Sequence, residues 1–225
     1  LKVTHMDEIW TIKYRPSSTD EITGNKSNAQ RLKEWILNWP EEKKKCMLLV
    51  GQAGVGKTSS VYAVAHELGY SVVEMNASDF RNRESVYSIV KPAATCEPIS
   101  GEKNRIILLD EVDGLSGKDD RGGAAAITEI IPISRYPIIC TANDEYSDRL
   151  KPLKKYCEVL RYRNLTKQQI AKMLRVICEK EGIKADLSVL IKIGENSQGD
   201  MRAAISDLQT VATGKNRITM EDLDI

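Results

Sequence analysis

Across 225 residues the sequence has one phenylalanine, two histidines and no two cysteines in a Cys-x-x-Cys spacing. With aromatic residues at only 5%, extensive stacking on unpaired bases is not expected. His5 and His66 lie far apart, so a metal site built from protein ligands alone is not expected either. The five cysteines, at 46, 96, 140, 157 and 178, are an odd number. That argues against a disulfide scaffold and suits reduced thiols in an intracellular compartment. No apolar run approaches the roughly 18 residues of a membrane span, and no signal peptide is visible, so no membrane partner is expected. The formal net charge is only +1, so any nucleic-acid contact must come from a local basic face. Internal repeats and low-complexity tracts are missing. The opening LKVTH (1–5), ahead of Met6, reads as a remnant of cloning.

What is present is ordinary for a protein with a real core: 41% apolar and 29% charged residues. Strand-like runs recur as MLLVG (47–51), SVVEMN (71–76), RIILLDE (105–111), YPIICTAN (136–143) and YCEVLRY (156–162). Several are apolar without alternation, as strands buried on both faces are. Between them, 27–39 places Leu32, Trp35, Ile36 and Trp39 at helical spacing, and 58–68 does the same with Val61, Val64, Ala65 and Leu68. The alternation predicts a doubly wound α/β domain over 1–164. After Leu165 the strand-like runs stop, and helices are predicted over roughly 166–181, 186–196 and 200–212, with Thr166 as an N-cap and Gly182 as a stop. Residues 165–225 are therefore expected to form a second, small all-helical unit that packs on the first. Lys43, Lys44 and Lys45 read as a solvated turn.

Residues 51–58, GQAGVGKT, match G-x-x-x-x-G-K-[ST] between a strand and a helix. In such a loop the glycines let backbone N–H groups turn toward phosphate oxygens, and the helix start adds its positive end. Gly51, Gln52, Ala53, Gly54, Val55, Gly56, Lys57, Thr58 and Ser59 are the candidate phosphate-binding residues. Lys57 would reach the β- and γ-phosphates, and Thr58 would offer its hydroxyl to Mg²⁺. In IILLDEVD (106–113), Asp110 ends a strand as the second Mg²⁺ candidate, and Glu111 is the candidate base or water-positioner. Asn143 stands at the tip of the next strand, where it can touch a γ-phosphate or orient water; the plainer reading is a turn former. In GDMR (199–202), Asp200 is a plausible N-cap and puts Arg202 in the first turn, where the helix dipole disfavours a cation unless a phosphate lies opposite.

These four elements in this order resemble the AAA+ ATPases, a P-loop nucleotide-binding domain followed by a helical lid. WTIKYRP (10–16) with EITGN (21–25), and NASD (76–79), resemble boxes of the clamp loaders. DEVDGLSGKDDRGG (110–123) is similar to the large-subunit type of clamp loader, particularly its archaeal form. The resemblance implies an ATPase that uses Mg²⁺–ATP to open a sliding clamp and place it on primer–template DNA, within a hetero-pentamer with small subunits. It implies Tyr14, Arg15 and Pro16 near the adenine, DNA-backbone contact by Arg81 and Arg83 and more weakly by Lys118 and Arg121, and clamp contact through Val86, Tyr87 and Val90. The plainer readings are a solvated loop for the arginines and ordinary core for the apolar face. Asn76 is a candidate switch that holds Glu111 off the water until DNA binds.

Two departures matter. Small clamp-loader subunits carry Ser-Arg-Cys where this chain has Lys155-Tyr156-Cys157. The chain is thus expected to accept an arginine from a neighbour without donating one, with Arg161 or Arg163 as weaker substitutes. The family's helical collar is also not found before Ile225, so the chain is expected to be a truncated piece. Localisation is expected to be cytoplasmic for an archaeal source and nuclear for a eukaryotic one. The competing readings are a nucleotide-gated scaffold with dispensable hydrolysis, a checkpoint loader and a replication initiator.

Overall fold

The computed structural model describes residues 9–80, 82–97, 104–115 and 122–223. A short helix α1 (Trp10–Lys13) precedes α2 (Lys26–Leu37). The chain then runs through β1 (Cys46–Val50), α3 (Lys57–Leu68), β2 (Ser71–Asn76), α4 (Arg83–Thr95), β3 (Arg105–Asp110), α5 (Gly122–Ile130), β4 (Ile138–Ala142), α6 (Lys151–Lys154) and β5 (Cys157–Arg161). The five strands form one parallel sheet in the order β2-β3-β4-β1-β5.

Unbroken apolar runs suit β1 and β4, every residue of which is buried. β2 is different. It lies at the sheet edge and is only partly covered, so the expectation of burial on both faces does not extend to it. Alternate residues of β1 feed two cores. Cys46, Leu48 and Val50 face Val86 and Val90 of α4 and Ala126, Ile127 and Ile130 of α5. Met47 and Leu49 face Leu32, Trp35 and Ile36 of α2 and Val61 and Val64 of α3. α5 had no counterpart among the predicted helices. Its Gly-Gly start resembles a loop, but the three alanines that follow are strong helix formers, and Ala126 packs into the core.

α2 ends at Leu37, short of Trp39. Trp39 instead donates its indole N–H to the Lys45 carbonyl (3.0 Å), as Trp35 does to the Lys44 carbonyl (3.0 Å). Lys44 and Lys45 are therefore braced, the Lys45 ammonium donating to the Pro40 carbonyl at 2.7 Å, while Lys43 is exposed.

Residues 162–166 lead from β5 into the lid. Its helices are α7 (Lys167–Glu181), α8 (Leu187–Asn196) and α9 (Met201–Ala212), around a separate core containing Leu174, Ile177, Leu190, Ile193 and Leu208. Thr166 and Gln169 form a reciprocal capping box, and Gly182 ends α7 in the left-handed conformation. The lid is not wholly helical: β6 (Lys184–Ala185) and β7 (Arg217–Ile218) pair in parallel. Two residues a strand are too few to show as a periodic pattern in sequence.

Candidate active site

The tips of β1, β3 and β4 meet under the start of α3, and there the motif residues converge. Gly56 is the left-handed residue (φ 99°) that turns the loop into α3. Gly54 (φ 69°) lies hard against the lid: a Cβ there would run into the Asp200 carboxylate. Only a residue without a side chain lets the Met201 N–H donate to the Gly54 carbonyl, at 3.1 Å. A second tie joins Asn164 Nδ2 to Gln52 Oε1 at 2.9 Å. Asp200 caps α9 by accepting from the Ala203 N–H (3.0 Å), which places Arg202 in the first turn, exposed and facing the cleft.

Lys57 is 7% exposed. Its ammonium does not extend outward. It donates to the carbonyls of Gly51 (2.6 Å) and Gln52 (2.8 Å) and to Asn143 Oδ1 (3.0 Å). Burial pushes its pKa down, while the negative charges of Asp110, Asp113 and Glu111 act in the other direction. Thr58 Oγ1 donates to Asp110 Oδ1 at 3.2 Å, and the Thr141 hydroxyl donates to the same oxygen. A hydroxyl beside a carboxylate is the hard-oxygen pair that suits Mg²⁺, so the residues present fit that ion. Glu111 follows in the left-handed conformation (φ 57°), with its N–H on Thr141 Oγ1 at 3.0 Å and its side chain exposed. A non-glycine residue held there signals a backbone constrained by its surroundings.

The same cleft extends toward the chain's first elements. Tyr14, Arg15 and Pro16 line it with Ala53, Val55 and Ser59, opposite Met173, Met201 and Ile205 of the lid. This gives one end polar groups for phosphates and the other an apolar floor fit for a flat base. Tyr14 OH donates to Glu181 of α7, where Lys13 also pairs at 2.7 Å. Arg15 stacks on the Tyr62 ring at 4.9 Å. Ile22, Met173 and Ile205 were not foreseen as cleft residues, because nothing local marks an apolar residue as facing a ligand.

Two further polar residues were missed. Thr141 sits inside the run CTAN, two residues before Asn143, where an isolated threonine looks like ordinary strand composition. Asp113 is the last residue of IILLDEVD. Its Oδ2 accepts from the N–H groups of both Asn143 and Asp144, each at 2.9 Å. The second acid of that motif was the one available signal.

The partner-facing expectations fare differently. Val86 and Val90 are fully buried among α5 and the sheet, so they are core and not an open clamp-binding face. Tyr87 is half-covered, and its hydroxyl donates to Glu129. Arg83 pairs with the same carboxylate at 2.7 Å and lies over the Tyr87 ring at 5.3 Å. Arg81, Lys118 and Arg121 lie outside the described residues. Asn76 turns its carboxamide oxygen onto its own chain, accepting from the Ser78 N–H (3.0 Å) and hydroxyl (2.8 Å) rather than reaching for Glu111. Arg161 pairs with Glu145 at 2.6 Å on the surface.

A model of the AAA family, ATPases associated with various cellular activities, matches residues 47–165. A model of the RCF1/5-like AAA+ ATPase lid domain matches residues 172–213. The chain is 44% identical over 218 residues to the replication factor C large subunit of Thermofilum pendens, covering 96% of this chain and 53% of that protein. It is 45% identical over 201 residues to that of Nanoarchaeum equitans, covering 89% and 46%. With that of Archaeoglobus fulgidus it shares 43% identity over 226 residues, covering 96% and 47%. The chain thus spans about half the length of the curated relatives it matches.

Proposed function

This chain belongs to the AAA family of ATPases, and we propose that it is the nucleotide-binding part of a replication factor C large subunit that binds and hydrolyses Mg²⁺–ATP to load a sliding clamp on primer–template DNA. The observation that carries the reading is the convergence of Lys57, Thr58, Asp110, Glu111 and Asn143 with Arg202 of the lid around one cleft. Bound Mg²⁺ would neutralise phosphate charge between Thr58 and Asp110. Lys57 moves its donors from the Gly51 and Gln52 carbonyls to phosphate oxygens, and Asn143, released from it, meets the terminal phosphate. Glu111, exposed at the mouth of the site, takes a proton from the attacking water. Arg202 reads the phosphates from the lid side, so nucleotide holds the two domains together.

Lys155-Tyr156-Cys157 offers no arginine to a neighbour, and Arg161 is already paired. In this reading the chain donates no arginine, and its own site is completed in trans by an arginine from a small subunit, a contribution of about 10³–10⁵ in rate in related phosphoryl transfers. Small subunits, clamp and DNA are the partners of this reading. Its DNA-backbone contacts are Arg83 at the start of α4, with Arg81, Lys118 and Arg121. Asn76 is its candidate link between DNA and Glu111, which requires its carboxamide to leave Ser78. Of the clamp-facing residues only Tyr87 retains exposed surface.

The test is single-turnover ATP hydrolysis by the full-length protein, alone and with small subunits mutated in their own lysine loops, clamp and primed DNA. Large stimulation that disappears in Glu111→Gln is the expected result. Tight ATP binding with no stimulation would replace the reading with an ATP-gated scaffold.

A further inference from the structure

Three observations at Asp113 are not used by the nucleotide site as described. One carboxylate oxygen, Oδ2, accepts two consecutive backbone N–H groups, those of Asn143 and Asp144, at 2.9 Å each. The other, Oδ1, is buried and has no hydrogen-bond partner among the described residues. The Asp113 carbonyl accepts from Arg149 Nη1 at 3.1 Å, beyond the same loop. Asp113 itself sits in the short turn Val112–Gly114, directly after the left-handed Glu111. One side chain from the β3 loop therefore fixes the backbone of the β4 loop, and it does so between the two residues whose relative position decides the chemistry.

We infer that Asp113 is a positioning residue that sets Asn143 against Glu111, so that the contact to the terminal phosphate and the activation of water are registered by one carboxylate. The inference rests on the hydrolytic reading above. A carboxylate is suited to the task because it accepts two N–H bonds from adjacent residues at once, and charge-assisted bonds of this kind are about twice as strong as neutral ones. The Thr141 hydroxyl does the complementary work two residues before Asn143, joining Asp110 to the Glu111 N–H. The two cross-links make β3 and β4 a single rigid platform at their tips. A merely structural role for Asp113 predicts a uniform loss of stability, whereas positioning predicts a loss confined to the rate.

Asp113→Ala and Asp113→Asn separate these roles. The amide oxygen of Asn can still accept both N–H groups, so Asn preserves the placement without the charge. In the full-length protein with its partners, Ala is expected to lower single-turnover hydrolysis roughly tenfold to a hundredfold, as small misplacements do. Its affinity for ATP should stay within about twofold of wild type, and Asn should stay within about threefold of the wild-type rate, both small against that positioning loss. Combining Asp113→Ala with Asn143→Ala should give no more than the larger single effect. Amide hydrogen exchange at Asn143 and Asp144 reads the same placement without catalysis, and should quicken at least about tenfold in Ala and not in Asn. Unchanged exchange and rate in Ala would overturn the inference, as would parallel loss of affinity and rate or effects that multiply. A wild-type protein that binds ATP but never hydrolyses it would defeat the proposed function instead, and the exchange result would still decide the role of Asp113.

Discussion

The phosphate end of the sheet and the α4–α5 flank are built from similar raw material, apolar strands and helices with charged residues at their ends, yet they behave differently. At the phosphate end the polar groups point inward and at each other. Lys57 contacts two carbonyls and Asn143, and Asp110 takes two hydroxyls. On the α4–α5 flank most apolar residues are consumed by packing, with Ile89 of α4 left 48% exposed, and Arg83 pairs at the surface with Glu129. The lesson is that chemistry at a strand tip needs only a few residues held by rigid backbone, whereas a surface for a macromolecule must be free of the protein's own contacts.

The comparison can be broken at several points. The largest effect is expected from Lys57→Ala, which removes the one cation inside the phosphate loop. ATP hydrolysis should fall at least about a hundredfold, as loss of a single preorganised donor does elsewhere, and a retained rate would mean that Arg202 carries the phosphates alone. Next in size, Val90→Ala should cost about 2 kcal/mol of unfolding free energy by urea denaturation, the scale of deleting buried methyl groups. If it leaves stability intact and weakens binding to a clamp, α4 is a docking face after all. Arg83→Ala should lower the slope of log affinity for duplex DNA against log salt by about one if the arginine exchanges Glu129 for a phosphate. An unchanged slope leaves it a surface ion pair of small worth.

The smallest effect concerns the segment that lines the base end of the cleft. Glu67 of α3 holds Lys33 and both the N–H and the hydroxyl of Thr19. These bonds, Lys33 first, pull its carboxyl from the ordinary 4.5 down to about 2. A carboxyl whose folded-state pKa is depressed contributes stability that is complete above its unfolded pKa and is lost as pH falls toward the folded one. The difference in stability between wild type and Glu67→Gln should therefore be present at pH 7 and shrink between pH 4.5 and about 2. A constant difference across that range would show that Thr19 does not depend on the ionised form.

The phosphate loop, Asp110, Glu111 and the caps of α7 and α9 were legible because each depends on neighbours within a few positions. The lid helices were legible for the same reason: their apolar spacing is local. Asp113, Thr141 and Met173 were not, since their roles arise where strands far apart in sequence come together. Val86 and Val90 illustrate the converse. Helical spacing shows that a face is apolar, but only α5, hidden behind a Gly-Gly that looks like a turn, shows what covers it. That β2 is an edge strand was not legible, because position in the sheet is decided by the order of crossovers.

The strand order gives the lid an unusual purchase. β5 is the last strand of the sheet in sequence but lies beside β1, so the chain leaves for the lid next to the strand that enters the phosphate loop. Gly54 meets the lid directly at Met201, and Gln52 meets the connecting segment at Asn164. A torque applied to α7–α9 by a neighbouring molecule therefore reaches the glycine loop directly at Met201, while α1, packed on the lid core through Trp10 and Tyr14, moves with the lid. In mechanical terms the lid is a crank mounted beside its own bearing, with the glycine loop between them.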